Sequence, residues 1–317
     1  MTSWFKIHNR EANHKKGKTD MSLNENDVKR LKEVLERTNM RKNAPIREIP
    51  EDYKAFQRRV TQVERVIELP EPCVPVRVVI STAIDKMENC PVHVNFHGGG
   101  FIHGQDTDDD LYCAHIAAEI KGIVIDVDYA TSDQYPYPMA FNQSYAIVQM
   151  AYKKAQELGA DPQRLSIGGS SAGGCLAAAI ALKNAKQHDF PLCLAILEYA
   201  ATDNWMPFAK SDDPHLERSR AFSEYYVDGE LDLLKESYCS PAFASDAELT
   251  HLPHILFIAP KQCPFYETNE RLAVRMMQQG NEVSYHAFLN SVHGSVVRMS
   301  GEWREAQDVV IRYIKNS

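Results

Sequence analysis

Gly168-Gly169-Ser170-Ser171-Ala172-Gly173-Gly174 is the stretch that decides the fold class of this chain. It follows the apolar run at 164–167 and leads into the alanine-rich run that starts at Cys175. This pattern predicts a strand, a sharp turn and a helix, with a serine at the turn. Such a turn holds the serine in a strained backbone and lifts its hydroxyl above the sheet. Ser171 is therefore a candidate nucleophile, although the motif alone also fits an ordinary glycine-rich turn.

Two further motifs flank this turn in the sequence. His97-Gly98-Gly99-Gly100-Phe101 follows the apolar strand predicted at 92–96, and its glycines present bare backbone N–H groups above the sheet. Downstream, His293 lies in the 289–294 loop, directly after the strand predicted at 283–288. The order of glycine loop, serine and histidine is that of α/β-hydrolases. We expect Gly98, Gly99, Gly100 and Ala172 to form an oxyanion hole, and His293 to act as the general base.

From about residue 75 onward, the chain resembles the hormone-sensitive-lipase-like family of α/β-hydrolase carboxylesterases. The resemblance rests on HGGGF at 97–101, on Tyr129 and the 135–138 stretch, on the 158–164 stretch that leads into the GGSSAGG turn, and on the 289–294 histidine loop. It implies a mostly parallel eight-stranded sheet flanked by helices, a helical cap and esterase activity on short acyl chains. Most family members carry an acidic residue before the nucleophile, where this chain has Ser170.

The position of the triad acid departs from the family. By resemblance, an aspartate is expected just after the strand at 254–259, yet this sequence has Cys263 there when aligned on the following helix. Aligned on the strand, the residue is Gln262. Neither is a carboxylate, whereas the acid normally holds the imidazole in the correct tautomer and stabilises the imidazolium.

Two carboxylates are candidates for this role. Glu267 lies near the start of the next helix and can reach back, so we assign it as the third catalytic residue. In that case, Glu267→Gln should lower kcat at least about a hundredfold. Asp203 follows the strand at 192–199, and some α/β-hydrolases take their acid from that strand end. Two other interpretations stay open. Glu267 and Asp203 have only local roles, in which Glu267 interacts with the positive end of its helix dipole and Asp203 forms hydrogen bonds within its own loop. Alternatively, the site has no acid.

Charge and composition disfavour several kinds of partner and location for this protein. The chain has 317 residues, a net charge of −8 and a pI of about 5.9, which disfavours nucleic acid and anionic membranes as partners. No apolar run is long enough for a membrane span, and the first residues show no apolar signal region. Seven scattered cysteines without metal-ligand spacing suggest free thiols in a reducing cytoplasm. We expect neither a metal nor an organic cofactor, and an edge strand near the C-terminus permits a homodimer.

Strands and helices alternate after residue 90, which favours one α/β catalytic domain over 61–202 and 241–317. Strands are predicted near 92–96, 122–128, 164–168, 192–199, 254–259 and 283–288, after a hairpin at 60–66 and 74–80. Helices are predicted near 139–158, 172–186, 266–279 and 302–315. We assign 1–60 as an N-terminal helical cap segment and the aromatic-rich stretch 203–240 as a cap insertion. Asp108-Asp109-Asp110 is interpreted as a solvated acidic turn.

The sequence therefore predicts a serine carboxylesterase that hydrolyses short-chain acyl or acetyl esters through an acyl-enzyme. Two alternatives remain. The missing aspartate fits an impaired hydrolase that binds a ligand, as plant gibberellin receptors of the same family do. Those receptors have lost the family's histidine, however, whereas this chain retains His293. An amide hydrolase on the same scaffold differs only in its leaving group.

Overall fold

A computed structural model describes residues 22–39, 48–210 and 212–317 of the chain. The first residues, on which the expected absence of a signal region was based, lie outside these ranges. So does part of the segment assigned as 1–60. In the described ranges, no helix is both long and apolar enough to cross a membrane.

An eight-stranded sheet forms the centre of the molecule, in the order β1-β2-β4-β3-β5-β6-β7-β8. The first two strands pair antiparallel, as do β2 and β4, and every other neighbouring pair is parallel. The strands are β1 Val60–Ile67, β2 Val76–Ala83, β3 Cys90–Phe96, β4 Ile123–Asp128, β5 Ala160–Ser170, β6 Leu194–Glu198, β7 His254–Gln262 and β8 Val283–Val292.

Helices cover both faces of this sheet. They are α1 Glu25–Arg37, α2 Glu51–Gln57, α3 Thr107–Ile120, α4 Met139–Lys154, α5 Ala172–Gln187, α6 Met206–Ala209, α7 Glu217–Tyr226, α8 Tyr266–Gln278 and α9 Trp303–Asn316. Apolar residues of α4, α5 and α8 join one core cluster, and those of α3 and α9 join the other. Alternate residues of β6 enter each cluster, because a parallel strand buried on both faces carries apolar residues along its whole length.

The predicted hairpin and the six predicted parallel strands are all present, and so are the four predicted helices. The interpretation of Asp108–Asp110 as a solvated turn is wrong. These residues form the first turn of α3, where Asp106 caps the helix and exchanges hydrogen bonds with Asp109 in a capping box. Asp109 is buried, and its burial raises the pKa of its carboxyl well above the usual range.

Helices α1 and α2, both in the described part of the N-terminal segment, lie in different places. Helix α1 packs on α7 of the 203–240 stretch through a small cluster that includes Leu31, Ala221 and Tyr225. Tyr225 also donates a hydrogen bond from its hydroxyl to the carbonyl of Val28. Helix α2 instead packs on α3, so in the described part of the segment assigned as 1–60, α1 lies against the 203–240 stretch and α2 lies against a helix of the main domain.

Candidate active site

Ser171 lies at the turn between β5 and α5, as the sequence predicted. Its backbone has φ 56° and ψ −110°, a strained combination for a residue with a side chain. Its N–H donates to the carbonyl of Glu198 at 2.9 Å, which ties the turn to the end of β6. A Cβ on Gly173 would overlap the carbonyl group of Phe96, so the close approach of this turn to β3 requires glycine there. Ser171 is partly exposed.

His293 follows β8 and meets the serine across the top of the sheet. The distance from its Nε2 to Oγ of Ser171 is 2.9 Å, a hydrogen bond of normal length. The imidazole ring contacts Tyr199 edge-on at 5.1 Å between centroids and Phe265 at 5.6 Å. Ser171 and His293, which are 122 residues apart in the sequence, are therefore in hydrogen-bond contact.

Cys263 contacts the second ring nitrogen of His293, Nδ1. Its Sγ lies 3.1 Å from Nδ1 of His293 and also accepts the N–H of Phe265 at 3.4 Å. The thiol is buried, and that burial raises its pKa to about 12, so it is a neutral thiol at physiological pH. Of the two sequence alignments, the one anchored on the helix identifies the correct residue, because Gln262 still pairs with Val292 as the last residue of β7.

Neither candidate carboxylate reaches His293, which corrects the assignment of Glu267 as the third residue of the site. Glu267 lies in the first turn of α8 with its side chain 71% exposed, and its nearest ion-pair partner is Lys210 at 3.9 Å. The helix directs it to solvent, whereas Cys263 precedes the helix and faces inward. Asp203 accepts the N–H groups of Trp205 and Met206, so it caps its own loop.

The 97–101 loop lies over the serine turn. A Cβ built on Gly98 would be 3.7 Å from the Cβ of Ser171, which shows how close the two loops are. Gly99 and Gly100 have φ of 124° and 63°, values that favour glycine. Among the described residues, no acceptor takes the N–H of Gly99, Gly100 or Ala172. The loop and the start of α5 therefore present amide hydrogens near Oγ of Ser171.

His97 supports this loop from below. Its Nδ1 is 2.7 Å from the carbonyl oxygen of Gly98, and its ring stacks on Tyr129 at 4.1 Å. The hydroxyl of Tyr129 donates back to the carbonyl of His97 at 2.8 Å. Both residues are buried, so the glycine loop rests on packed, hydrogen-bonded side chains.

Comparisons with known proteins agree with this geometry. A family model described as the α/β-hydrolase fold matches residues 93–297. The carboxylesterase NlhH of Mycobacterium tuberculosis is 32% identical over 70% of this chain and 71% of its own length. Human hormone-sensitive lipase is 33% identical over 29% of this chain and 9% of its own. The chain belongs to the hormone-sensitive-lipase-like family of α/β-hydrolase carboxylesterases. A bacterial heroin esterase superposes with a TM-score of 0.73 and 26% identity, covering 82% of this chain and 85% of that one.

Glu198 is a residue of the site that the sequence analysis missed. This family usually has an acidic residue before the nucleophile, and here Ser170 donates its hydroxyl to Glu198 at 2.9 Å instead. The hydroxyl of Tyr112 from α3 donates to the other carboxylate oxygen. Burial raises the pKa of Glu198 to about 7, although both hydrogen bonds oppose the shift. One signal was available: Glu198 is the lone charge in an otherwise apolar strand.

The 97–101 loop also contacts α7. A Cβ on Gly100 would come within 2.7 Å of Cδ1 of Phe222, so the aromatic ring lies directly on the loop. The guanidinium of Arg218 lies 4.7 Å from the Phe222 ring centroid and donates to the carbonyl of Leu35 in α1. Tyr226 stacks on Phe101 at 3.6 Å. Helices α1 and α7 are thus linked to the loop that faces the serine.

Proposed function

We propose that this protein is a serine carboxylesterase that hydrolyses small esters with short acyl chains through an acyl-enzyme at Ser171. The observation that carries the proposal is the 2.9 Å contact between Oγ of Ser171 and Nε2 of His293, on a strained turn that faces amides for which the described residues supply no acceptor. In the proposed mechanism Ser171 attacks the ester carbonyl, and His293 accepts its proton. The N–H groups of Gly99, Gly100 and Ala172 stabilise the oxyanion, with Gly98 beside them.

The second half of the reaction uses the same groups. His293 returns the proton to the leaving alcohol, and then activates a water molecule that attacks the acyl-enzyme. Each step moves one proton between an oxygen atom and Nε2, and the carbonyl oxygen carries a negative charge only in the two tetrahedral intermediates, so no other protein group has to change its charge. The mechanism requires Ser171 and His293 in hydrogen-bond contact, which supports assigning these two residues as the nucleophile and the base.

The short-chain preference rests on the family and on α7. The ring of Phe222 lies against Gly100 in the loop beside the serine, which supports a binding site for a short acyl chain. A series of p-nitrophenyl esters from acetyl to dodecanoyl tests this preference. We expect activity to peak at hexanoyl or shorter chains. A peak at decanoyl or longer would contradict the proposal.

A receptor-like function is the second candidate, and the neutral Cys263 is the observation that favours it. A fluorophosphonate probe separates the two candidates, because it reacts with an activated serine whether or not the acyl-enzyme is then hydrolysed. We expect labelling of Ser171 and many turnovers of p-nitrophenyl acetate per protein. Labelling without turnover would favour ligand binding. Turnover of the matching p-nitroanilide at a similar rate would favour an amide hydrolase.

The domain assignment and the assembly are further parts of the proposal. The contacts between α1 and α7 support a cap made from part of 1–60 and the 203–240 stretch, over a catalytic domain of 61–202 and 241–317. Strand β8 is at one edge of the sheet with Leu289 and Val292 exposed, which supports a homodimer through that edge. The seven free cysteines support a reducing, cytoplasmic location.

A further inference from the structure

The thiol of Cys263 lies 3.1 Å from Nδ1 of His293. In the neutral imidazole only one nitrogen carries a proton, and Nε2 can accept from Ser171 only when that proton is on Nδ1. A carboxylate accepts hydrogen bonds without donating, so it enforces this tautomer. A neutral thiol both donates and accepts weakly, so it is compatible with either tautomer.

The second consequence concerns charge. When His293 takes the serine proton it becomes an imidazolium, and a carboxylate on Nδ1 would stabilise that cation. The Cys263 thiol is buried and uncharged, and therefore offers only a weak acceptor to the Nδ1 proton. Reaction steps that lie after complete proton transfer are consequently slowed more than steps that lie before it.

Esters differ in which of these steps limits their rate. An aryl or enol ester has a reactive carbonyl and a leaving group that departs as an anion, so its transition state is reached early in proton transfer. An alkyl ester must first form the complete imidazolium and oxyanion, after which Nε2–H must protonate the departing alkoxide. A neutral thiol at Nδ1, in place of a carboxylate, therefore lowers the rate of hydrolysis most for alkyl esters.

We propose that Cys263 is the third member of the triad, a neutral positioning residue for His293, and that it restricts this enzyme to esters of weakly basic leaving groups, namely aryl and enol esters. The proposal rests on the proposed function, because it requires Ser171 and His293 to carry out acyl transfer. It adds a substrate class and a residue that sets it.

The test is a series of acetate esters with one acyl group and different leaving groups: p-nitrophenyl, phenyl, trifluoroethyl and ethyl. For each, kcat/KM of the wild-type enzyme is compared with the rate constant of hydroxide-catalysed hydrolysis. We expect the enzymatic rates to fall more steeply with leaving-group pKa than the hydroxide rates do. An enzymatic dependence equal to or flatter than that of hydroxide would overturn the proposal.

Variants at position 263 give the second arm. Cys263→Asp should raise kcat/KM for ethyl acetate about a hundredfold and that for p-nitrophenyl acetate about tenfold or less, which flattens the dependence. Equal gains for both esters, or no gain in a folded variant, would contradict the inference. Fluorophosphonate labelling of Ser171 confirms that the variant is folded.

Cys263→Ala keeps the experiment decisive if the aspartate variant does not fold. Loss of the thiol should lower kcat about tenfold with little change in KM, because the imidazole loses its positioning partner. Activity equal to that of wild type on every ester would show that the thiol has no role. Cys90→Ala is the matched control, since Cys90 is another buried thiol, in β3, and its hydrogen-bond partner is Gly159. It should leave the leaving-group dependence unchanged.

Failure of the inference differs from failure of the proposed function. A wild-type protein that neither reacts with the fluorophosphonate nor hydrolyses p-nitrophenyl acetate would refute the esterase itself. Robust turnover with a flat leaving-group dependence would refute only the role of Cys263.

Discussion

The two sides of Ser171 differ in where they place their ionisable groups. In front, towards His293, the third position holds the neutral thiol of Cys263. Behind, Ser170 and Tyr112 both donate to the buried carboxyl of Glu198, whose backbone carbonyl holds the N–H of Ser171. Among the described residues, His293 thus has a thiol at Nδ1 where the family has a carboxyl, whereas a buried carboxyl, that of Glu198, holds the serine turn. Under the proposed mechanism, positioning of the nucleophile Ser171 and charge stabilisation of the base His293 are separate requirements, and this chain meets the first more fully.

The largest effect is expected from substitutions of the proposed nucleophile and base. Ser171→Ala and His293→Ala should each lower kcat on p-nitrophenyl acetate by a factor that approaches about 10⁶, because each removes a group that takes part in bond making or proton transfer. Circular dichroism should show an intact fold for both. Full residual activity in Ser171→Ala would remove the assignment of the nucleophile.

Adding a carboxyl at position 170, where the family normally has one, tests the interaction between positions 170 and 198. At about pH 8, above the raised pKa of Glu198, Ser170→Asp places a second charged carboxyl against Glu198 in a buried site, so we expect a loss of about 3–5 kcal/mol in the free energy of unfolding. In the Glu198→Gln background the same change should cost about 1 kcal/mol or less, since the repulsion is gone. Urea denaturation of the four proteins gives the coupling. Additive effects would show that the two positions do not interact.

The pH dependence of stability isolates Glu198. Its pKa is raised from 4.5 to about 7 in the folded protein, so the folded state holds a proton that the unfolded chain has lost. Its contribution to stability is therefore complete below about pH 4.5 and is lost as the pH rises through about 7. Relative to wild type, Glu198→Gln should gain at most about 3 kcal/mol between about pH 4.5 and about pH 8. An equal difference at both pH values would contradict the raised pKa.

The smallest effect is expected at Glu267. Its exposed carboxylate pairs only loosely with Lys210, so Glu267→Gln should leave kcat on p-nitrophenyl acetate within about threefold of wild type. Lys210→Gln is the matched control and should behave in the same way. A loss of about a hundredfold in Glu267→Gln alone would restore the original sequence assignment.

Much of the fold was predictable because its signals are local. The apolar strands, the glycine-rich turn at Ser171 and the HGGGF loop each follow from neighbouring residues. Helix α3 was missed because three consecutive aspartates resemble a solvated turn, whereas Asp106 and Asp109 close a capping box there.

The third residue of the site could not be settled from the sequence, because the answer depends on where β7 ends and how α8 is rotated. Gln262 stays paired in the sheet and Glu267 faces solvent, which leaves Cys263 on the imidazole. The role of Glu198 depends on hydroxyls from α3 and β5, and this long-range convergence has no local sequence pattern.

Trapping the acyl-enzyme tests the central claim most directly. The protein is mixed with excess p-nitrophenyl butyrate, quenched in acid during turnover, digested and examined by mass spectrometry. We predict one butyryl group on the peptide that contains Ser171, and none in Ser171→Ala. Steady turnover with no acyl group on that peptide, or with the acyl group on Cys263, would contradict a mechanism in which Ser171 is the nucleophile.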